Sequence, residues 1–313
     1  MSARAEIIDG AALADVVRAR VREGVARLER DHGITPGLAV VLVGDNAASR
    51  VYVRTKSRRA HDVGIRSIGF DLPADTPERD LLALLADLNG REDVDGILVQ
   101  LPLPPQISTD RVIWAIDANK DVDGFHPYNA GLLALGKPSL VPCTPKGCVL
   151  LAKTVHPSLA GLEVTIVGRS TIVGRPAAQL FLLENCTVTV THSATRNIED
   201  VCRRADVLVV AAGKAKLVNE RWIKPGATVI DVGINRVAAD GGVTRIVGDV
   251  DFTAASQTAG NITPVPGGVG PMTVALLLEN TLQCARMRAA GMRAGGMKGE
   301  RTASPHAPSE RWG

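Results

Sequence analysis

Aromatic residues are scarce: three Trp, two Tyr and four Phe make up 3% of a chain of 313 residues. The core must therefore be aliphatic, and each aromatic invites its own question. The five cysteines, Cys143, Cys148, Cys186, Cys202 and Cys284, are odd in number, and none is paired as Cys-x-x-Cys. This argues against a disulfide framework or a zinc site and favours a reducing compartment. No run of about 20 apolar residues occurs, so no membrane span is expected. The N-terminal stretch carries Glu6 and Asp9 without an apolar segment, so a signal peptide is not expected either. Charge is nearly balanced, with a formal net charge of +3, which gives no reason to expect nucleic acid as a partner. Much of that excess lies near the C-terminus, where Arg286, Arg288, Arg293, Lys298, Arg301 and Arg311 face Glu300 and Glu310.

What is present is a soluble, aliphatic composition, 45% hydrophobic and 22% charged, long enough for two domains. Leu13, Val16, Val17, Val21, Val25 and Leu28 recur at helical spacing. The run Leu38–Val43 reads as a buried strand, followed by a Gly44-Asp45-Asn46 turn and a helix from about Ala47 to Val63. A strand at Ile65–Phe70 and a helix opened by Thr76-Pro77-Glu78 come next. Asp95–Leu101 reads as a strand closed by Pro102-Leu103-Pro104-Pro105. The alternation restarts near residue 141. A helix from Thr144 to about Val155 precedes strands at 163–167, 187–191, 207–211 and 228–232, with helices between them. A last apolar helix, about 270–287, is expected to return to the first half.

Strands alternating with helices predict two α/β domains, each with a parallel sheet. The expected boundaries are 1–141 with 270–288 for the first domain and 142–269 for the second. Residues 289–313, rich in Gly, Ala, Arg, Ser and Pro, read as a disordered tail.

The sequence Gly168-Arg169-Ser170-Thr171-Ile172-Val173-Gly174 follows a strand and opens a helix, the setting of a dinucleotide-binding turn. Gly168 permits the tight turn, and Gly174 permits close approach to a pyrophosphate. The spacing departs from G-x-G-x-x-G, so an ordinary strand–helix turn remains the rival. The next strand ends in Thr191-His192-Ser193-Ala194-Thr195-Arg196, without the acid that holds an NAD ribose. Arg169, Ser193 and Arg196 suit a 2′-phosphate instead, favouring NADP.

In the first half, Ser49, Tyr52 and Lys56 share one helix face. That helix starts at the carboxyl edge of a parallel strand, where ligands bind. Amphipathic surface is the bland alternative. Gln100, near the end of an apolar strand, must satisfy its amide, either structurally or on a ligand. Lys120-Asp121-Val122-Asp123-Gly124 is an acidic turn that lacks the further ligands of a calcium loop.

Taken with Pro142-Cys143-Thr144-Pro145-Lys146-Gly147 and Thr263-Pro264-Val265-Pro266-Gly267-Gly268-Val269-Gly270-Pro271-Met272-Thr273, these stretches resemble the bifunctional methylenetetrahydrofolate dehydrogenase/cyclohydrolase family. They occur in family order over residues 5–287. The resemblance implies oxidation of 5,10-methylenetetrahydrofolate with NADP and hydrolysis of the methenyl product to 10-formyltetrahydrofolate, by a cytoplasmic homodimer joined through its cofactor domains. It implies that Tyr52 stacks on the folate, Lys56 is the central catalytic group, Gln100 positions it and Asp123 bonds the pterin. Ser49, Val99, Leu101, Pro264, Pro266, Gly267, Gly268 and Val269 would shape the folate site. Gly168, Arg169, Ser170, Gly174, Ser193, Thr195, Ile234 and Thr273 would line the NADP site, with no metal.

Tyr-x-x-x-Lys also marks short-chain dehydrogenases, but there it follows the cofactor turn, whereas Tyr52 and Lys56 precede Gly168. An amino-acid dehydrogenase-like enzyme and a non-catalytic NADP-binding regulator are the other rivals. The co-occurrence of Lys56, Gln100 and Asp123 counts against the regulator.

Overall fold

The computed structural model describes residues 4–238 and 244–291. The first half contains β1 (Glu6–Ile7), α1 (Gly10–His32), β2 (Gly37–Val43), α2 (Ala47–Asp62), β3 (Arg66–Leu72), α3 (Glu78–Gly90), β4 (Gly96–Val99), α4 (Thr109–Ala115) and α5 (Pro127–Ala134). The second contains α6 (Cys143–Val155), β5 (Glu163–Val167), α7 (Gly174–Leu183), β6 (Thr187–Thr191), α8 (Ile198–Cys202), β7 (Val207–Val210), β8 (Thr228–Asp231), β9 (Asn235–Ala238), β10 (Thr244–Val247), α9 (Phe252–Ala255) and β11 (Asn261–Ile262). The last element is α10 (Val269–Ala289).

Two parallel sheets organise these elements. The smaller has the order β3-β2-β4 and the larger β1-β11-β8-β7-β5-β6. In the small sheet the chain leaves β2 for β3 on one side and later returns to β4 on the other. In the large sheet it leaves β5 for β6 and returns to β7. β2 and β5 therefore each mark a reversal of strand order, and the crevice at the carboxyl end of such a strand is where these folds bind ligands.

Local chemistry accounts for the elements. Asp9 caps α1 by accepting the Ala12 amide at 2.9 Å, and Gly33 ends the helix at φ 64°. Its buried stripe of Ala14, Val17, Val21, Val25 and Leu28 packs in one core with Leu276, Leu277 and Leu282 of α10. Full burial of each such side chain contributes about 1.5–3 kcal/mol. Gly24 makes the helix contact close: a Cβ there would meet Leu282 Cδ2 at 2.5 Å. The returning helix is also fixed by an ion pair. Arg288 Nε lies 2.6 Å from Asp95 Oδ1, whose side chain is fully buried.

Several boundaries differ from the sequence expectation. The chain's first strand, β1, lies in the large sheet, paired with β11, so the first segment bridges both halves. Thr76 does not cap α3: its hydroxyl donates to the Pro73 carbonyl at 2.7 Å, and Pro77 holds the cap position. Gln100 lies just past β4, although its amide still donates to Val41 O at 2.9 Å. The C-terminal helix runs to Ala289, two residues beyond its expected end, because Arg288 is tied down. The remainder of the expected disordered tail, from residue 292, lies outside the described residues. The short helix α5 and the antiparallel pair β9–β10 were not foreseen.

Candidate active site

At the carboxyl edge of the small sheet, α2 begins directly after β2 and its turn. Ser49 is buried at the first turn, with its amide on Asn46 Oδ1 at 3.1 Å. Tyr52 and Lys56 follow on the same helix, both half-buried. The Lys56 ammonium donates to Gln100 Oε1 at 3.0 Å. Gln100 in turn donates through Nε2 to the Leu101 carbonyl at 2.7 Å. The amide is thus held at both ends, which fixes its orientation and aims an acceptor at the lysine. Val99 and Leu101 flank this pair, and the Leu101–Pro102 bond is cis.

The acidic turn after β4 divides its work. Asp121 accepts the amides of Phe125 at 3.1 Å and His126 at 2.8 Å, and Asn129 Nδ2 at 2.9 Å. It is a structural clasp. Asp123 makes no hydrogen bond among the described residues, so its carboxyl is available. Burial pushes its pKa up to about 6, against the pull of the Lys56 charge and with a push from Asp121. Cys143 lies in the same electrostatic neighbourhood, and burial raises its thiol far above the ordinary range. Its Sγ donates to Val122 O at 3.4 Å, so it is a packing residue.

A cleft of about 660 Å³ opens between the two halves. One wall is formed by Ala11, Asp15 and Arg18 of α1 with Val51, Tyr52, Thr55 and Arg59 of α2. The other is formed by Gly233, Ile234 and Arg236, Ile246, and the loop Pro264–Pro271. Tyr52, Ile234, Pro264, Pro266, Gly267, Gly268 and Val269 therefore share one cavity. Lys56, Gln100 and Asp123 form a separate polar group, joined to the cleft through Tyr52 one helical turn away.

The second group of expected residues gathers at the end of β5. Gly168 has φ 123°, and a Cβ on it would lie 2.2 Å from the Ala211 carbonyl oxygen. A Cβ on Gly174 would lie 2.2 Å from the Gly168 carbonyl. Only glycine fits either place, so the turn folds tightly enough to present amides at the start of α7. Ser170 Oγ accepts the amides of Val173 at 3.1 Å and Gly174 at 3.3 Å, bracing the turn. After β6, Thr195 Oγ1 accepts the His192 amide at 2.9 Å. Arg169, Ser193 and Arg196 are exposed and have no side-chain partner among the described residues. Thr273 stands apart from this turn. Its hydroxyl lies 2.9 Å from that of Thr144, where α6 meets α10.

Two buried carboxylates were missed in the sequence. Asp231, ending β8, accepts the amides of Gly233 and Asp249 at 2.9 Å and Val250 at 3.0 Å. Burial nonetheless pushes its pKa up to about 6. Asp249 accepts the amides of Ala212 and Gly213 at 2.7 Å and Asn235 Nδ2 at 2.8 Å. Together they pin the loops that carry Gly233 and Ile234 on the cleft wall. For Asp231 a signal was present, a polar side chain closing a buried apolar strand; Asp249, beyond the mostly exposed β10, had none.

Residues 8–123 match the family model described as tetrahydrofolate dehydrogenase/cyclohydrolase, catalytic domain. Residues 142–289 match the model for its NAD(P)-binding domain. A bifunctional protein FolD from Nitrobacter winogradskyi is 57% identical over 281 residues, covering 90% of this chain and 96% of the relative. One from Ruegeria pomeroyi is 58% identical over 278 residues, covering 89% and 94%. The crystal structure of the bifunctional enzyme FolD from Campylobacter jejuni superposes with a TM-score of 0.86 at 45% identity, covering 90% of this chain and 99% of that one. The Trypanosoma brucei enzyme, crystallised with NADP cofactor and inhibitor, gives 0.87 at 41% identity, covering 91% and 99%. Both domain models match in the expected order, and whole-chain relatives align over the cleft and the glycine turn alike. The chain belongs to the tetrahydrofolate dehydrogenase/cyclohydrolase family.

Proposed function

We propose that this protein oxidises 5,10-methylenetetrahydrofolate to the 5,10-methenyl form with NADP and then hydrolyses it to 10-formyltetrahydrofolate. The observation that carries this reading is the Lys56–Gln100 hydrogen bond at the sheet edge, next to a cleft walled by Tyr52 and the Pro264–Gly270 loop. The folate ring system would stack on Tyr52, and Asp123 would accept from the donor edge of the pterin. Ser49, Val99 and Leu101 would shape the floor beneath it.

The turn Gly168–Gly174 fits a pyrophosphate, because its two tightly packed glycines leave room for backbone amides and nothing larger. Arg169 and Ser193 would meet the 2′-phosphate. Ser170 and Thr195 would act through the turns that they brace, and Ile234 and Thr273 would border the cofactor. NADP supplies the hydride acceptor when bound.

Loss of hydride from the methylene carbon leaves a cation shared over two nitrogens. No proton has to move in that step, so the protein's task is alignment. Water then adds to the cationic carbon. Lys56, acting in this step as the neutral amine, takes the proton released by the water to become the ammonium, and as the ammonium returns one to the ring nitrogen when the carbon–nitrogen bond breaks. Gln100 keeps the amine aimed throughout.

A cytoplasmic homodimer completes the proposal. Five buried, unpaired cysteines suit a reducing compartment. The edge strand β6, with Val190, Leu182 and Leu183 exposed beside it, supplies an apolar surface on the cofactor half. The direct test is to add NADP to methylenetetrahydrofolate and follow the methenyl chromophore appearing and then decaying. No methenyl signal would remove the proposal. NADP reduction without decay would leave a dehydrogenase alone.

A further inference from the structure

One buried carboxylate has no part in the chemistry so far. Asp249 is fully buried, and its side chain has no basic partner among the described residues. Its Oδ2 accepts the amides of Ala212 and Gly213, and its Oδ1 accepts Asn235 Nδ2. Burying a carboxylate without a counter-charge is unfavourable, so hydrogen bonds must hold it in place. All three partners are donors, and they reach both oxygens. Only a side chain with an acceptor at each tip satisfies them. An Asn here would set its own N–H against another N–H.

The donors come from separate loops. Ala212 and Gly213 follow β7, and Asn235 opens β9. The Asp249 amide donates to Asp231 Oδ1 at the end of β8, at 2.9 Å. On one side the glycine turn packs directly against the first of these loops: a Cβ on Gly168 would lie 2.2 Å from the Ala211 carbonyl oxygen. On the other side a Cβ on Gly233 would lie 2.4 Å from Asp249 Oδ1, and Gly233 and Ile234 line the cleft. One carboxylate therefore fixes how far the glycine turn stands from the cleft wall.

The strand order β8-β7-β5-β6 gives this span a direction. Arg169 and Ser193 follow β5 and β6, so the 2′-phosphate end of the cofactor belongs there. A dinucleotide laid across the carboxyl edge then puts its nicotinamide beyond β7 and β8, at the cleft. We propose that Asp249 is a positioning residue for hydride transfer, which locks the loops after β7 and β8 and so sets the nicotinamide against the folate carbon. The inference rests on the dehydrogenase reading. Hydrolysis makes no use of the nicotinamide, and Lys56, Gln100 and Asp123 stand at the small sheet. Asp249 therefore serves one activity and not the other.

The test is Asp249→Asn. Its kcat for NADP reduction with methylenetetrahydrofolate should fall about tenfold to a hundredfold, the scale of a misplacement of about 1 Å between reacting atoms. Hydrolysis of supplied methenyltetrahydrofolate, without NADP, should keep its native rate. Affinity for adenosine 2′,5′-bisphosphate, which carries only the β6 end of the cofactor, should also hold. NADP reduction at the native rate would overturn the proposal. So would an even loss of reduction, hydrolysis and bisphosphate binding in a variant with native circular dichroism, since Asp249 would then act on the fold alone. If Asp249→Asn does not fold, Asn235→Ala decides, because it frees one loop from the same carboxylate. A selective loss of NADP reduction there supports the proposal, and native or evenly lowered activities overturn it. Failure of the dehydrogenase reading looks different: the native enzyme itself would not reduce NADP.

Discussion

Lys56 Nζ and Gln100 Oε1 lie 3.0 Å apart, joining the middle of one helix to the end of a strand 44 residues later. Because Gln100 is itself anchored on the Leu101 carbonyl, the amide orients the lysine and offers it no charge. Gln100→Met keeps the length of the side chain and removes that acceptor. Hydrolysis of the methenyl form should fall by about tenfold to a hundredfold, NADP reduction should fall less, and the folate KM should change little. Equal kcat values for variant and native enzyme would remove Gln100 from the mechanism.

Arg288 reaches across 193 residues to the buried Asp95. Among the described residues, removing it leaves a buried carboxylate held only by the Gly37 amide at 2.9 Å. Breaking a fully buried pair costs about 3–5 kcal/mol. Arg288 is 23% exposed, so Arg288→Ala should cost about 2–3 kcal/mol in chemical denaturation. Chains ending after Met287 and after Gly291 make a matched comparison. The shorter should melt several degrees lower, and the longer should match the full chain in melting and in both activities. Identical melting of the two would mean that the ion pair contributes nothing.

Burial raises the Asp123 pKa to about 6. Above pH 6 its carboxylate is ionised and can accept from the pterin; below pH 6 it is protonated and loses that capacity. The kcat/KM for methylenetetrahydrofolate should therefore fall as pH drops through 6. Asp231 is pushed to a similar value, so the assignment needs a variant. Asp123→Asn should be slower and lose this inflection. An unchanged inflection in Asp123→Asn would reassign it to Asp231 and the loops that it pins.

Arg169 follows Gly168 directly and has no partner among the described residues. A hydrogen bond to a charged phosphate is worth about 1.5–3 kcal/mol. Arg169→Ala should weaken NADP binding roughly ten- to a hundredfold and barely affect NAD. Equal losses for both cofactors, measured by fluorescence titration, would put the 2′-phosphate elsewhere.

The site was legible where chemistry is written locally. A glycine turn after an apolar strand, a Tyr and a Lys one helical turn apart, and a Gln ending a buried run each stand out from their neighbours. The strand–helix alternation likewise carried both sheets. The pair β9–β10 did not stand out, because Asn235–Ala238 alternates over only four residues and is half exposed. Nor did β1, two residues long, whose place in the large sheet depends on a partner near residue 261. The Asp95–Arg288 pair and the Asp231–Asp249 clasp join residues whose spacing follows no local period. The placing of Arg18 and Arg59 together on the cleft wall needed two helices side by side. Each half reads as an ordinary solvated face alone.

The central claim is that Lys56 moves the protons of hydrolysis while hydride transfer needs only alignment. The most direct measurement is the rate of methenyltetrahydrofolate hydrolysis by Lys56→Gln beside its rate of NADP reduction. General acid–base catalysis contributes about 10²–10⁴-fold. Hydrolysis should fall by that factor, NADP reduction should fall far less, and methenyltetrahydrofolate should accumulate during turnover. Hydrolysis at the native rate in Lys56→Gln would contradict the account and leave Lys56 an ordinary helix-face lysine.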